Sequence, residues 1–391
     1  MAARDNKTGI FILEGLNALS LAFYFLFIFF FMQKKFGFGN MENLLLGGLA
    51  GFVYMIASYI CGRIARRAGY LRILVIAFGV VTIALLVGSQ LQSVTGHLVV
   101  VCVAVAGIGF VWTPLQALAC QHEPAHRVQR MVGLYNVIWA TLVAIGYFAG
   151  GAMFEAWNLS IFIVTAGIHF TQFLIAIHLL RSSRLRDKLG TQPAIAADET
   201  TTRVAPSIAR AFLRMAWIAN PAAFIATNVA VPTIPTIAKR FDLSPTWAGI
   251  FCSVWLFARA GAFLLFWKWP GWHYRLGWLL AGYIVMVISF AAILVGSNLV
   301  VLLVAQVFFG LALGLLYYSS LYYSMHVGVE NQGEHGGMHE AVIGAGNFAG
   351  PVVGALALYF YPANPHAGTW AVSVAMGVGL IWMLRVWALR R

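Results

Sequence analysis

Two charged side chains stand where the surrounding chain is apolar, and they define the chemistry open to this sequence. Glu14 is the only charged residue in the run Ile10–Met32, and Asn17 follows it one turn later on the same helical face. Low dielectric disfavours the charged form of a carboxyl group, which suits reversible protonation and makes Glu14 the candidate proton-coupling group. The competing reading is a carboxylate near the interface, paired with an arginine or a helix end. Arg259 lies in the middle of Trp247–Trp267 and carries a permanent charge. It either binds an anionic group of a solute or partners a carboxylate. Around these two, hydrogen-bonding and aromatic residues recur at helical spacing. Trp112 and Gln116 lie one turn apart, Asn136 and Trp139 follow, then Thr227, Asn228 and Asn347. The stretch from Tyr317 to Ser324 is too rich in hydroxyls to face lipid, and Tyr317 and Ser320 are its candidate binding residues; tyrosines at a helix end also form interfacial belts. His169 is read as a hydrogen-bonded packing residue.

A charge inside a bilayer costs roughly 2.5–3.5 kcal/mol on insertion scales, so elements able to shelter it must be present. Twelve apolar stretches supply them: Ile10–Met32, Leu44–Ala65, Ile73–Leu91, Leu98–Cys120, Met131–Phe154, Leu159–Leu180, Ala211–Ile234, Trp247–Trp267, Leu276–Val295, Leu299–Met325, His339–Tyr361 and Thr369–Ala388. Each is long enough to cross a hydrocarbon core as a helix, which needs roughly 20 residues. Hydrocarbon offers the backbone no partner, so each must close its own hydrogen bonds. A β-barrel would alternate in short segments, whereas Phe23 to Phe31 is unbroken apolar sequence. With 61% hydrophobic and 9% charged residues, the chain cannot cover a water-soluble globule. Pro232 and Pro235 are expected to bend or break the outer end of the seventh span.

Basic residues set the orientation. Of 25 Lys and Arg, 20 fall on the side of the termini, against Lys34, Lys35, Lys239 and Arg240 opposite and Arg259 within the membrane. By the positive-inside rule both termini are cytoplasmic, in a multi-pass protein of the cell (inner) membrane. The net charge of +13 thus reflects topology and attraction to anionic lipid, and a nucleic-acid partner is not expected. The first apolar run is too long for a cleavable signal peptide and lacks a small-residue cleavage site. Cys61, Cys102, Cys120 and Cys252 lie in or at the ends of spans and read as packing residues. His335, His339 and Glu340, with His122 and His126, have spacing that can bind a metal, but a membrane metalloenzyme needs more histidine clusters facing one side. No metal, cofactor or enzymatic activity is expected.

The one long polar break, 181–210, holds charges, Pro193, Pro206 and the run Asp198 to Thr202. It reads as a cytoplasmic linker between an N-terminal bundle (1–180) and a C-terminal bundle (211–391) of six helices each. Internal echoes support a duplication: Gly146-Tyr147-Phe148-Ala149-Gly150 against Gly346-Asn347-Phe348-Ala349-Gly350, and Lys34-Lys35-Phe36 against Lys239-Arg240-Phe241.

The loop after the second span reads Gly62-Arg63-Ile64-Ala65-Arg66-Arg67-Ala68-Gly69-Tyr70-Leu71-Arg72. With the 6+6 arrangement, it resembles the major facilitator superfamily, whose pattern there is Gly-x-x-x-Asp-Arg-x-Gly-Arg-Arg/Lys. Gly62, Arg67, Gly69 and Arg72 match; Arg66 stands at the acidic position. The resemblance implies an all-α integral membrane fold, two pseudo-symmetric six-helix bundles around a central cavity lined by spans 1, 4, 7 and 10 with help from 2, 5, 8 and 11. It also implies a lock on the cytoplasmic side, for which Glu330, Glu334 or Glu340 stands in for the missing acid; the bland reading makes Arg66 and Arg67 topology anchors. Gly346, Gly350, Pro351 and Gly354 look like the family's Gly-Pro helix motif. The fifth span has Gly150-Gly151 and no proline, unlike the drug:proton antiporters.

The reading is therefore a secondary transporter of a small organic solute working by alternating access, coupled to protons through Glu14 and acting as a monomer in lipid. Its rivals are an efflux pump for lipophilic compounds and a non-transporting protein on the same fold.

Overall fold

The structure is a computed structural model; it describes the backbone of residues 2–121, 123, 125–188, 204–327 and 332–390, and the side chains of 7–121, 123, 130–183, 204–324 and 340–390. Among the described residues it contains helices and no strand. They are α1 (Ala2–Phe36), α2 (Asn40–Ala68), α3 (Tyr70–Gly88), α4 (Val94–Gly109), α5 (Trp112–Cys120), α6 (Ala125–Ala156), α7 (Ser160–Lys188), α8 (Pro206–Arg240), α9 (Pro245–Lys268), α10 (Leu276–Val295), α11 (Leu299–Val327), α12 (Gln332–Phe360) and α13 (Ala367–Ala388). Twelve membrane spans result, because α4 and α5 share the fourth. Most of the predicted linker, residues 189–203, lies outside the described residues.

Two prolines act differently from expectation. The fourth span, read as one helix over Leu98–Cys120, is interrupted at Phe110 and Val111. Pro114 explains the break: it has no N–H, and its ring clashes with the carbonyl four residues back, which belongs to Phe110. The seventh span instead runs unbroken through Pro221, Pro232 and Pro235. There the hydroxyls of Thr227 and Thr233 and the amide of Asn228 donate back to the carbonyls of Ala223, Val229 and Phe224.

The two halves, α1–α7 and α8–α13, meet along two helix pairs, α2 with α12 and α6 with α9. Both crossings are close enough to exclude side chains. A Cβ at Gly51 would lie 2.4 Å from the backbone of Asn347 and Phe348, and one at Gly151 would lie 2.3 Å from the Pro245 carbonyl oxygen. Small residues permit such backbone approach in membranes, where packing replaces hydrophobic drive. At the end of the bundle remote from the termini, Glu155 of α6 accepts hydrogen bonds from the backbone N–H (3.2 Å) and hydroxyl of Thr246 on α9. Pro351 belongs to the other seam, facing Gly47 and Gly48 of α2, while Gly350 abuts the backbone of Ile225 on α8 within the C-terminal half.

The duplicated pentapeptide occupies equivalent places. Gly146 packs on Leu19 and Ala22 of the first span, and Gly346 packs on Pro221 and Phe224 of the seventh. The loop motif forms a one-residue turn: Gly69, at φ +89°, ends α2 and begins α3, a backbone conformation that a side chain would strain. Arg66, Arg67 and Arg72 of this motif are not held in the core: all three are exposed. Among the described residues the one ion pair joins Lys7 to Glu123, and no carboxylate pairs with the motif arginines. Glu340 is therefore not their lock; it faces inward, to partners described below. The side chains of Glu330 and Glu334 lie outside the described residues.

Replacing Gly51 by Val should destabilise the protein by about 1–3 kcal/mol through overpacking of the α2–α12 seam. Gly377→Val, at a position with open space around it, is the control. Thermal unfolding of purified protein is the measurement, and the melting temperature should fall for Gly51→Val only.

Candidate functional site

Between the halves lies a cavity of about 200 Å³. It is lined from α1, α2, α4, α5, α6, α8, α9, α11 and α12, and by no residue of α3, α7, α10 or α13. Each lining helix contributes a face: Leu21, Ala22, Phe25 and Phe29 on α1; Gly47, Ala50, Gly51 and Tyr54 on α2; Tyr135, Trp139, Val143 and Tyr147 on α6. These are helical i, i+3, i+4 repeats, the sequence signal by which Tyr54, Tyr135 and Tyr147 could have been found.

Arg259 is the cationic centre. It is 6% exposed, and its guanidinium carbon lies 4.4 Å from the ring centroid of Trp139 and 5.1 Å from that of Trp255. Trp139 in turn contacts the rings of Trp112 (6.0 Å) and Tyr317 (5.4 Å), so the cation sits against an aromatic wall contributed by both halves. Among the described residues no carboxylate lies within ion-pair distance of Arg259, and its Nε has no hydrogen-bond partner. Of the two readings open from sequence, partner of a carboxylate and receptor for an anion, the first has no residue to fill it among those described. Indole faces offset part of the desolvation of a guanidinium, on the order of 2 kcal/mol.

The anionic centre of the cavity is Glu340, at the start of the eleventh span. Its side chain is 4% exposed, accepting from the Tyr54 hydroxyl at 2.6 Å and from Gln116 Nε2 at 2.9 Å. Sequence alone places it among the lock and metal candidates; the clue to its cavity position is that it shares one helical face with Ile343 and Asn347. Among the described residues no cluster of His, Cys, Asp and Glu could hold a metal. The side chains of His122, His126, His335 and His339 lie outside those residues.

Six sequence-predicted binding residues line the cavity: Trp112, Gln116, Asn228, Arg259, Tyr317 and Asn347. Asn228 Nδ2 donates to Asn347 Oδ1 at 2.6 Å, an amide pair on its C-terminal wall. Three others do not line it. Asn17 is fully buried in the N-terminal half, with no hydrogen bond to its amide among the described residues. Asn136, on the face of α6 turned from the cavity, spends its amide on the Val132 carbonyl at 2.8 Å. Ser320 borders a separate small recess with Trp217, Asn220 and Pro221, while Tyr317 is the residue of α11 that lines the cavity. Glu14 is likewise absent from the wall. It is fully buried beside Tyr135, which does line the cavity, and neither carboxyl oxygen has a hydrogen-bond partner within normal geometry among the described residues. His169 is a packing residue, sharing a 2.9 Å hydrogen bond with Ser20 and stacked on Phe78. Tyr322 and Tyr323 pack on Trp272 in an aromatic cluster.

Two six-helix halves around a central, partly polar cavity are the architecture of a membrane carrier. A sequence model of the Major Facilitator Superfamily matches residues 10–220, and the chain belongs to that family. Solved structures with the same fold include the nucleoside transporter NupG (TM-score 0.69, 12% identity, covering 98% of each chain). Another is a bacterial homologue of the human lysosomal transporter Spinster in an inward-facing, unoccupied conformation (TM-score 0.66, 13% identity, covering 99% of this chain and 96% of that one). A comparison with curated protein sequences finds no match. The chain is a multi-pass membrane protein with a secondary-transporter fold.

A buried cation without a carboxylate makes a stability prediction. Arg259→Met keeps much of the volume and removes the charge, so the ligand-free variant should be more stable than the parent by about 1 kcal/mol or more. Scanning fluorimetry of the purified proteins measures it as a raised melting temperature.

Proposed function

We propose that this protein moves a small organic anion with a flat or apolar body across the membrane by alternating access. The observation that carries the reading is Arg259: a cavity-lining guanidinium with indoles on it and, among the described residues, no carboxylate beside it. A carboxylate or phosphate on the solute supplies the charge-assisted hydrogen bonds that the protein leaves unmade. The rings of Trp112, Trp139 and Trp255 and the Asn228–Asn347 pair receive the rest of the molecule. Two tight seams on either side of the cavity suit a rocking motion of rigid halves about a fixed site.

The lipophilic efflux pump accounts for the aromatic walls but not for an arginine among them with no carboxylate at hand. A neutral ring compound such as a nucleoside, the class of solute that NupG transports, uses the amide pair and leaves Arg259 idle. The orientation that fits the basic residues has both termini in the cytoplasm of a cell whose inner membrane holds the protein as a monomer.

Binding should follow charge. In a thermal-shift screen with matched carboxylates, nucleosides and neutral lipophiles, the carboxylates should stabilise the protein, and Arg259→Gln should weaken their affinity by about 10-fold or more. Stabilisation by neutral compounds alone, unaffected by Arg259→Gln, overturns the anion assignment. Absence of solute counterflow by wild-type protein in proteoliposomes overturns transport itself.

Glu14 is the proposed proton carrier, a carboxyl out of water that needs no rearrangement to become neutral. Glu14→Gln should abolish accumulation driven by a pH gradient while sparing counterflow. Unaltered gradient-driven uptake by that variant rules the assignment out.

A further inference from the structure

The carboxyl of Glu340 is the one acidic group, among the described residues, that both lines the cavity and ties the halves together. It does so from the C-terminal half to two helices of the N-terminal half. Tyr54 on α2 donates to Oε2 at 2.6 Å and Gln116 on α5 donates to Oε1 at 2.9 Å. Both donors line the cavity with it, so the three side chains form a bridge across the solute path. We infer that Glu340 is a second proton-binding site, and that its protonation releases this bridge and so frees the terminal end of the halves to part. The inference rests on reading the chain as a carrier with two moving halves.

The chemistry is a matter of lone pairs. A carboxylate accepts at both oxygens and holds two donors at once. A proton on Oε1 sets a donor against Gln116 Nε2, which has no lone pair to offer in this orientation. A proton on Oε2 sets a donor against the Tyr54 hydroxyl, which can accept only by giving up its own donation. Either way the two bonds drawn here cannot coexist. Charge-assisted hydrogen bonds are about twice as strong as neutral ones, so the surviving contact is also weaker.

The position makes the bridge consequential. Gly344, one turn along α12 from Glu340, abuts the backbone of Met55, the neighbour of Tyr54, so the bridge is continuous with the glycine seam. The break at Phe110 and Val111 makes α5 a separate short helix, and Gln116 rides on that helix rather than on a continuous span. The groups facing Glu340 that can titrate or carry charge are Tyr54 and Cys61 on α2, Glu14 on α1, Tyr135 on α6 and Tyr317 on α11. Of these only Glu14 is a carboxyl group, so it is the control.

The test needs no solute. Spin labels are placed on exposed ends of the two halves through Ala68→Cys on α2 and Lys268→Cys on α9, with the four native cysteines replaced by Ala, in full-length protein in nanodiscs. Inter-label distances are read between about pH 5 and pH 8. The parent and Glu14→Gln should both gain a second, longer distance population as pH falls. Glu340→Gln should lose that pH dependence and hold the longer population throughout. Should Glu340→Gln not fold, the Tyr54→Phe/Gln116→Leu pair keeps the carboxyl and removes its donors, and should hold the longer population at the upper end of the range. A parent whose distances ignore pH, or a Glu340→Gln variant that keeps the parent's response, overturns the inference. So does loss of the response in Glu14→Gln alone. None of these results bears on whether an anion is carried, which the counterflow and thermal-shift measurements decide separately.

Discussion

The constraint on which the structure depends is the cost of holding ionisable groups away from water in a protein whose surroundings are hydrocarbon. Lipid supplies neither counter-charge nor hydrogen bond, so each such group must find its compensation inside the bundle. Arg259 finds two indole faces, Glu340 finds a hydroxyl and an amide, and Glu14, among the described residues, lies beside Tyr135 with no hydrogen bond of normal geometry to either oxygen. These are three different degrees of satisfaction, and they sort the groups by task. On the proposed reading the half-compensated cation receives a ligand, the least-bonded carboxyl exchanges a proton, and the fully bonded one joins the halves until it too takes up a proton.

The seams are the second half of the same arrangement. Hydrophobic drive does not bring helices together in a bilayer, so the halves are held by close packing at Gly51 and Gly151 and by a few polar contacts. One of those contacts, Glu155 with Thr246, lies at the end remote from the termini, and another, Glu340 with Tyr54 and Gln116, lies in the cavity wall. Both use a carboxylate as acceptor for donors of the opposite half. Close glycine packing brings the helices together at preferred crossing angles, and the carboxylates add directional contacts to it.

Much of this was legible in the sequence, and the exceptions have physical causes. Span number and family followed from apolar run length and a loop motif, because hydrocarbon thickness leaves little freedom in either. The equivalence of Gly146 and Gly346 was readable as a repeat and holds as one, each glycine seating its helix on the first span of its own half. Trp112 and Gln116, a pair one turn apart on one helical face, both line the cavity. Asn17, Asn136 and Ser320 are polar and buried but line no part of the cavity, because polarity says nothing about which side of a helix looks inward. Glu340 was misjudged for the opposite reason. It stands at the edge of an apolar run, where hydropathy reads as interface, yet α12 begins at Gln332 and carries it a further two turns into the bundle.

The break in the fourth span joins these threads. A continuous helix would carry Trp112 and Gln116 rigidly with the rest of their half, and the cavity wall and the bridge to Glu340 would move only as the whole bundle moves. Pro114 removes one rung of the ladder at Phe110, and the short helix that follows holds both residues. Trp112 contacts Trp139, which lies against Arg259, while Gln116 contacts Glu340. A nine-residue helix thus contributes both to the aromatic wall against Arg259 and to the inter-half contact at Glu340. The proposed solute site and the proposed bridge therefore share one short element, a helix set off from the rest of its span by the break at Phe110 and Val111.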